Sequence, residues 1–194
     1  MTTIRKATAA TLALISLAGT ASADWRLVPG DSTLGFVSVK NGRVAEGHQF
    51  TELAGSVDAS GAQLVVGLAS VDTMIPIRNE RMREFLFEIA EYPEATFRAD
   101  IDPGLVEEMD VGASRRMDVV GELELHGRSQ TLNATLLITR TSEDRVSVAT
   151  TRPIVLSADA YALGEGVNRL KEIAGLESIT PMVPVSFSLS FVDE

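Results

Sequence analysis

From Met182 to Phe191 the chain alternates strictly. Val183, Val185, Phe187, Leu189 and Phe191 fall on one face, and Pro184, Ser186, Ser188 and Ser190 fall on the other. A period of two marks an extended strand with one face turned away from water. The same rhythm recurs along the chain. Met117, Val119, Gly121, Leu123 and Leu125 oppose Asp118, Glu122 and Glu124, while Leu132, Ala134, Leu136 and Ile138 oppose Thr131, Asn133, Thr135 and Thr139. His126-Gly127-Arg128-Ser129 separates these two runs and predicts a hairpin. Further strands are expected over 34–40, 52–59, 63–70, 95–102 and 145–157, punctuated by Gly61, Pro103-Gly104 and the polar segment 141–144. About eight strands in one unbroken series must close into a barrel or stack as a sandwich to hide their edges.

Two segments depart from this rhythm. At 100° per residue Met82, Phe85, Leu86 and Ile89 share one stripe, and Glu80, Arg83 and Glu84 share the opposite face, which predicts an amphipathic helix that ends before Pro93. A shorter helix is expected over 166–174, with Leu170, Ile173 and Ala174 inward and Gly175 as its C-terminal cap. Both would cover the sheet.

The N-terminus sets the expected compartment. Arg5 and Lys6 precede a small, apolar stretch from Ala7 to Gly19, and Ala21-Ser22-Ala23 supplies the small-x-small pattern of a signal-peptidase site. Residues 1–23 therefore read as a signal peptide and 24–194 as the domain, with a periplasmic destination. The apolar run falls short of the roughly 20 residues a membrane span needs, so stable membrane insertion is not expected after cleavage. Residues 1–23 hold two of the 17 basic residues and none of the 27 acidic ones, leaving 15 against 27, a net charge of −12. Such acidity argues against nucleic acid and anionic membrane surfaces as partners, since both are bound through Lys and Arg clusters. With no cysteine, no disulfide staples the fold.

Catalytic signatures are sparse. The chain lacks G-x-S-x-G, and His48 and His126 lack the spacing that places two metal ligands on one helix face. A periplasmic enzyme using these histidines with Glu46 or Asp72, or a solid-core interaction protein, are the alternatives. Glu122 and Glu124 read as the wet face of a strand. The sequon at Asn133 falls inside a predicted strand. Arg83 and Glu84 read as solvated, but Arg78 lies within the apolar stripe and Arg81 borders it. An inward charge needs a partner, water or an anion. Asp72 or the helix start could supply that partner, and a ligand headgroup could take its place.

The order of several motifs carries a resemblance. "DSTLGFVSVK", "GHQFTELAGSV", "LASVDT", "RNERM" where R-D-x-H-L is common, "EYPEATF" and "GELELHG" resemble the YceI-like family from Trp25 to Phe191. Arg81 stands where that family usually has His, and the loop after Arg83 is one residue shorter. The resemblance implies an antiparallel, lipocalin-like β-barrel of about eight strands, covered by one or two short helices, around an elongated apolar cavity. It also implies an isoprenoid lipid or quinone as bound ligand, while the sparse catalytic and metal-ligand signatures predict no catalytic role and no metal or other cofactor.

On that basis the expected cavity residues are Phe36, Phe50 and Leu68, then Met82, Phe85 and Leu86 from the covering helix, and Phe97, Leu123, Leu136, Phe187 and Leu189 from the later strands. Arg78 and Arg81 would meet the headgroup. The same stripes would equally describe a filled core. Each buried methylene contributes about 0.8 kcal/mol, so fifteen carbons of an isoprenoid tail would supply on the order of 10 kcal/mol before ordering costs. An exposed ion pair supplies about 0 to 1 kcal/mol. The tail would dominate affinity. The protein would act alone or as a homodimer.

Overall fold

The computed structural model describes residues 24–193. The signal-peptide expectation falls on residues outside that range. The strands are β1 (Trp25–Leu27), β2 (Thr33–Lys40), β3 (Val44–Phe50), β4 (Leu53–Asp58), β5 (Gly61–Gly67), β6 (Val71–Asp72), β7 (Glu94–Ala99), β8 (Ser114–Leu125), β9 (Arg128–Ser142), β10 (Arg145–Thr150), β11 (Ile154–Ser157) and β12 (Met182–Asp193). The α-helices are α1 (Pro76–Arg81), α2 (Gly104–Glu107) and α3 (Gly164–Ile173).

Eight antiparallel strands close a barrel in the order β1-β4-β5-β7-β8-β9-β10-β12, and β12 returns to β1 through Leu27 opposite Phe191. β12 is the seam. One edge pairs β10 through residues 188–192, while the other pairs β1 near its end and β2 earlier, with Phe187 opposite Leu34. The β2–β3 ribbon then leaves the ring and carries β6 at its edge. Closure satisfies the strand edges that an open sheet would expose.

The alternation translates directly into inside and outside. Val119, Leu125, Leu136, Ile138, Leu189 and Phe191 are buried, and Glu122, Glu124, Asn133, Ser186 and Ser188 are exposed. The hairpin between β8 and β9 has two residues, His126 and Gly127, both with positive φ (51° and 67°), which fits the twist of the strands it joins.

Several expectations change in detail. β3 is a strand the sequence pattern misses, because its inner row reads Val44, Glu46, His48, Phe50 instead of an apolar series. The strand expected over 145–157 is interrupted at 151–153, where Pro153 cannot donate to a ladder. The run expected over 63–70 ends at Gly67 and passes into a single 3₁₀ turn, Leu68–Ser70. The first helix is α1 followed by a π-helical turn, Met82–Leu86, in which Phe87 N–H donates to the Met82 carbonyl at 2.9 Å. The second helix begins two residues before its expected start. At its end Gly175 (φ 64°) and Leu176 donate to the carbonyls of Glu172 and Lys171, as a glycine cap requires. Val167 and Leu170 pack on the core, but Ala174 is exposed.

Candidate ligand-binding site

The inner stripes do not meet at the centre of the barrel. Two apolar chambers of about 170 and 160 Å³ lie end to end, sharing Leu34, Val66, Ala95, Leu123, Leu156 and Val185 as common wall. The first is bounded by β-strand residues and capped by Leu105 and Val106 of α2, with Ile101 and Trp25 beside it. The second lies under the covering segment, closed by Leu86 and Phe87 from the π turn and by Tyr161, Leu163 and Val167 around the start of α3. An apolar cavity of about 150 Å³ stays dry and takes a benzene-sized guest. Each chamber therefore admits about six carbon atoms.

The cavity residues named from the sequence distribute between these chambers and the shell around them. Phe97, Leu136, Phe187 and Leu189 line the first chamber, Phe36, Phe50, Leu68 and Leu86 the second, and Leu123 both. Met82 is buried in the core without lining either chamber. Phe85 is half-buried under Arg169, whose guanidinium carbon lies 5.6 Å from the ring centre. The Phe85 carbonyl faces Gly166 so closely that a Cβ there would approach it to 2.5 Å and the Leu86 Cα to 2.8 Å. Glycine thus lets α3 lie directly on the π turn. Similarly, a Cβ on Gly121 would overlap the Phe97 ring, so its absence lets that ring lie over β8 and form chamber wall.

Sequence reasoning omitted Leu34, Val66, Ala95, Leu156, Val185 and Tyr161. Leu34 and Val185 belong to stripes the alternation marks, and that signal could have found them. Tyr161 sits in a 3₁₀ turn with no periodic signal. Its phenol is pushed up to about 12 by burial and stays neutral at ordinary pH.

At the end of the β2–β3 ribbon the inner face changes from apolar to charged. Phe36 lies 5.1 Å from the ring of His48, and the His48 Nε2 is 2.8 Å from Ser38 Oγ. Beyond them Glu46 accepts from Lys40 at 2.6 Å and from Arg78 at 2.8 Å. The Lys40 hydrogen bond, then the Arg78 charge, lowers the Glu46 carboxyl below its usual range, against the raising effect of burial. Burial first, then the Arg78 charge, lowers His48, which favours the neutral imidazole. Arg78 also donates to the Thr73 carbonyl at 2.6 Å. Its carboxylate partner is Glu46, not Asp72, which instead accepts the Met74 N–H at 2.9 Å. Arg81 is half-buried on α1 and touches neither chamber. Arg83 is tied down, contrary to the expectation of a solvated side chain: its Nε donates to the Ala69 carbonyl at 2.6 Å.

The two histidines stay apart. His126 lies on the β8–β9 turn, 2.8 Å from Glu88 and with its ring centre 4.4 Å from that of Tyr92 at a 50° tilt, whereas His48 belongs to β3. Among the described residues no group of three or more His, Asp or Glu side chains could hold a metal ion. No helix among them is long and apolar enough to cross a membrane.

A closed antiparallel barrel whose inner stripes stand apart, with helical segments over both ends, defines a β-barrel of the interior-binding class. The chain belongs to the YceI-like domain family, whose model matches residues 25–191. Among solved structures it is similar to a polyisoprenoid-binding domain from Saccharophagus degradans implicated in plant cell wall breakdown. That match has 37% identity and a TM-score of 0.85, covering 88% of this chain and 98% of that one. The fold is shared by Burkholderia cenocepacia BcnA, at 19% identity and a TM-score of 0.66 over 84% of this chain and 98% of that one. It is shared also by a Campylobacter jejuni YCEI protein, at 13% identity and a TM-score of 0.54 over 76% and 84%. No curated protein matches the chain.

Proposed function

We propose that this protein is a periplasmic carrier for an isoprenoid lipid or quinone, whose tail occupies the paired chambers. The observation that carries this reading is the almost wholly apolar, unfilled interior. An apolar guest there fills empty space that water does not occupy, while a charged one would be stranded without partners. The polyisoprenoid-binding neighbour at 37% identity supports the same ligand class. The two chambers together admit about a dozen carbons, or about 10 kcal/mol of gross apolar burial before ordering costs. The signal-like N-terminus supports the periplasmic assignment.

The polar end around His48, Glu46 and Arg78 would meet a headgroup. Arg78 already satisfies Glu46 and the Thr73 carbonyl, so headgroup contacts there select among lipids more than they add affinity. The test is solvent extraction of natively expressed protein followed by mass spectrometry. A stoichiometric isoprenoid or quinone is expected, and protein that repeatedly extracts empty from cells containing both lipids would refute the reading.

A further inference from the structure

A guest can reach the chambers only through the wall, and the wall is not laddered all the way round. β8 and β9 pair along their whole facing length, from Ser114 opposite Thr139 to Leu125 opposite Arg128. The other edge of β9 is matched only in part. β10 pairs it from Leu136 to Ser142, and one further bond runs from Thr151 N–H to the Thr135 carbonyl at 3.0 Å. Residues 151–153 are then exposed, and β11 pairs β12 alone, from Ile154 opposite Val185 to Ser157 opposite Met182. Val185 pairs Phe36 of β2 on its other edge, which puts β11 on the β10 side of β12, toward β9. Among the described residues no ladder joins β11 to β9.

The result is a seam with two fixed ends. At one, the Thr135 carbonyl accepts from Thr151 N–H and from Thr151 Oγ1 at 2.8 Å; at the other, Gln130 Nε2 donates to the Ala160 carbonyl at 3.4 Å. Between them lie residues 131–134 of β9 and 154–157 of β11, about 13 Å of strand on each lip. Leu132, Ala134, Ile154 and Leu156 all line the first chamber. The wall here is four aliphatic side chains without a backbone ladder.

Local chemistry keeps the seam from zipping. Pro153 has no N–H to give to a ladder, and where the β10–β12 pairing ends Phe187 N–H donates to the Thr150 hydroxyl at 3.3 Å instead of to a strand carbonyl. Parting β9 from β11 breaks no strand-to-strand hydrogen bond, whereas parting β8 from β9 would break a ladder and leave its polar groups unpaired. The lips hold no ionisable side chain, and Val155, 54% exposed, extends their apolar character to the outer face. We propose that the β9–β11 seam is the lateral entry site of the barrel, where an uncharged, chain-like apolar molecule passes between Leu132 and Ala134 on one lip and Ile154 and Leu156 on the other. A charged guest is refused there for want of a partner. This inference rests on the carrier reading, since it supplies the route to the same chambers.

The chain has no cysteine, so N133C/V155C places a single reactive pair on the exposed outer faces of the two lips. Bridged by a cleavable bis-maleimide, this variant is expected to take up farnesol on the order of tenfold more slowly than before bridging, and to recover when the linker is cut. Bridged V120C/N133C, which spans the laddered β8–β9 pair, should keep its unbridged rate. Farnesol uptake by bridged N133C/V155C at the unbridged rate overturns the seam and leaves the carrier reading standing. N-phenyl-1-naphthylamine, an uncharged aromatic dye, separates the two readings. Dye entry slowed by the bridge in a protein that binds no farnesol upholds the seam and removes the isoprenoid carrier, while entry of neither molecule removes both. Hydrogen exchange on the unmodified protein needs no bridge. Amides of 154–157 that are not bonded to β12 are expected to exchange on the order of tenfold faster than the β8 amides of 117–123, and equal protection would mean a closed ladder in solution and overturn the proposal.

Discussion

Ala95 offers a direct way to close the bore. It lies on β7 opposite Val66, is 7% exposed, and forms part of the wall common to both chambers. Ala95→Phe would place a ring where the two spaces join. Occlusion of one chamber excludes about six carbons of tail. At about 0.8 kcal/mol per methylene this removes about 5 kcal/mol, more than a thousandfold in affinity. The ring would occupy existing space, so folding stability should change by less than about 1 kcal/mol. Overpacking of a filled core costs about 1–3 kcal/mol. The two readouts therefore separate a hollow barrel from a solid one. Ligand content is measured by extraction and mass spectrometry, and stability by urea denaturation. A variant that keeps its ligand, or one destabilised by more than about 1 kcal/mol, would show that the tail does not lie where the chambers meet.

Two further outcomes follow from close contacts and from burial. Gly166→Ala should lower stability by about 1–3 kcal/mol, because its Cβ would press on Phe85 and Leu86. Alanine normally improves a helix by about 1 kcal/mol over glycine, so an unchanged or raised urea midpoint would disprove that contact. His48 is expected to make folding pH-dependent. Its folded pKa lies below the ordinary 6.5, so as pH falls below that value the unfolded chain takes up a proton that the buried ring resists, and stability declines toward the lowered folded pKa. His48→Gln should remove this decline, measured by urea midpoints at about pH 7 and about pH 5. An identical slope in both proteins would assign the effect to other groups.

The sequence by itself determined which side of the long alternating strands faces inward. Val183 to Phe191 and Leu132 to Ile138 alternate because each inward side chain leaves water and each outward one does not, and that record survives without coordinates. The resemblance carried by the motifs from "DSTLGFVSVK" to "GELELHG" named the family over nearly the span the family model matches. β3 escaped notice because its inner face turns polar at Glu46 and His48, beside the proposed headgroup end, where patterning gives way to charge pairing. Tertiary structure decided the distances across the barrel. Period two records that Phe97, Leu123 and Phe187 avoid water, but the same pattern arises whether they touch one another or stand around an opening. Closure of the eight-strand ring sets that separation, and it leaves the two chambers between them. It also assigned Arg78 to Glu46, 32 residues away in the chain, since the ribbon and α1 become neighbours only when the sheet folds.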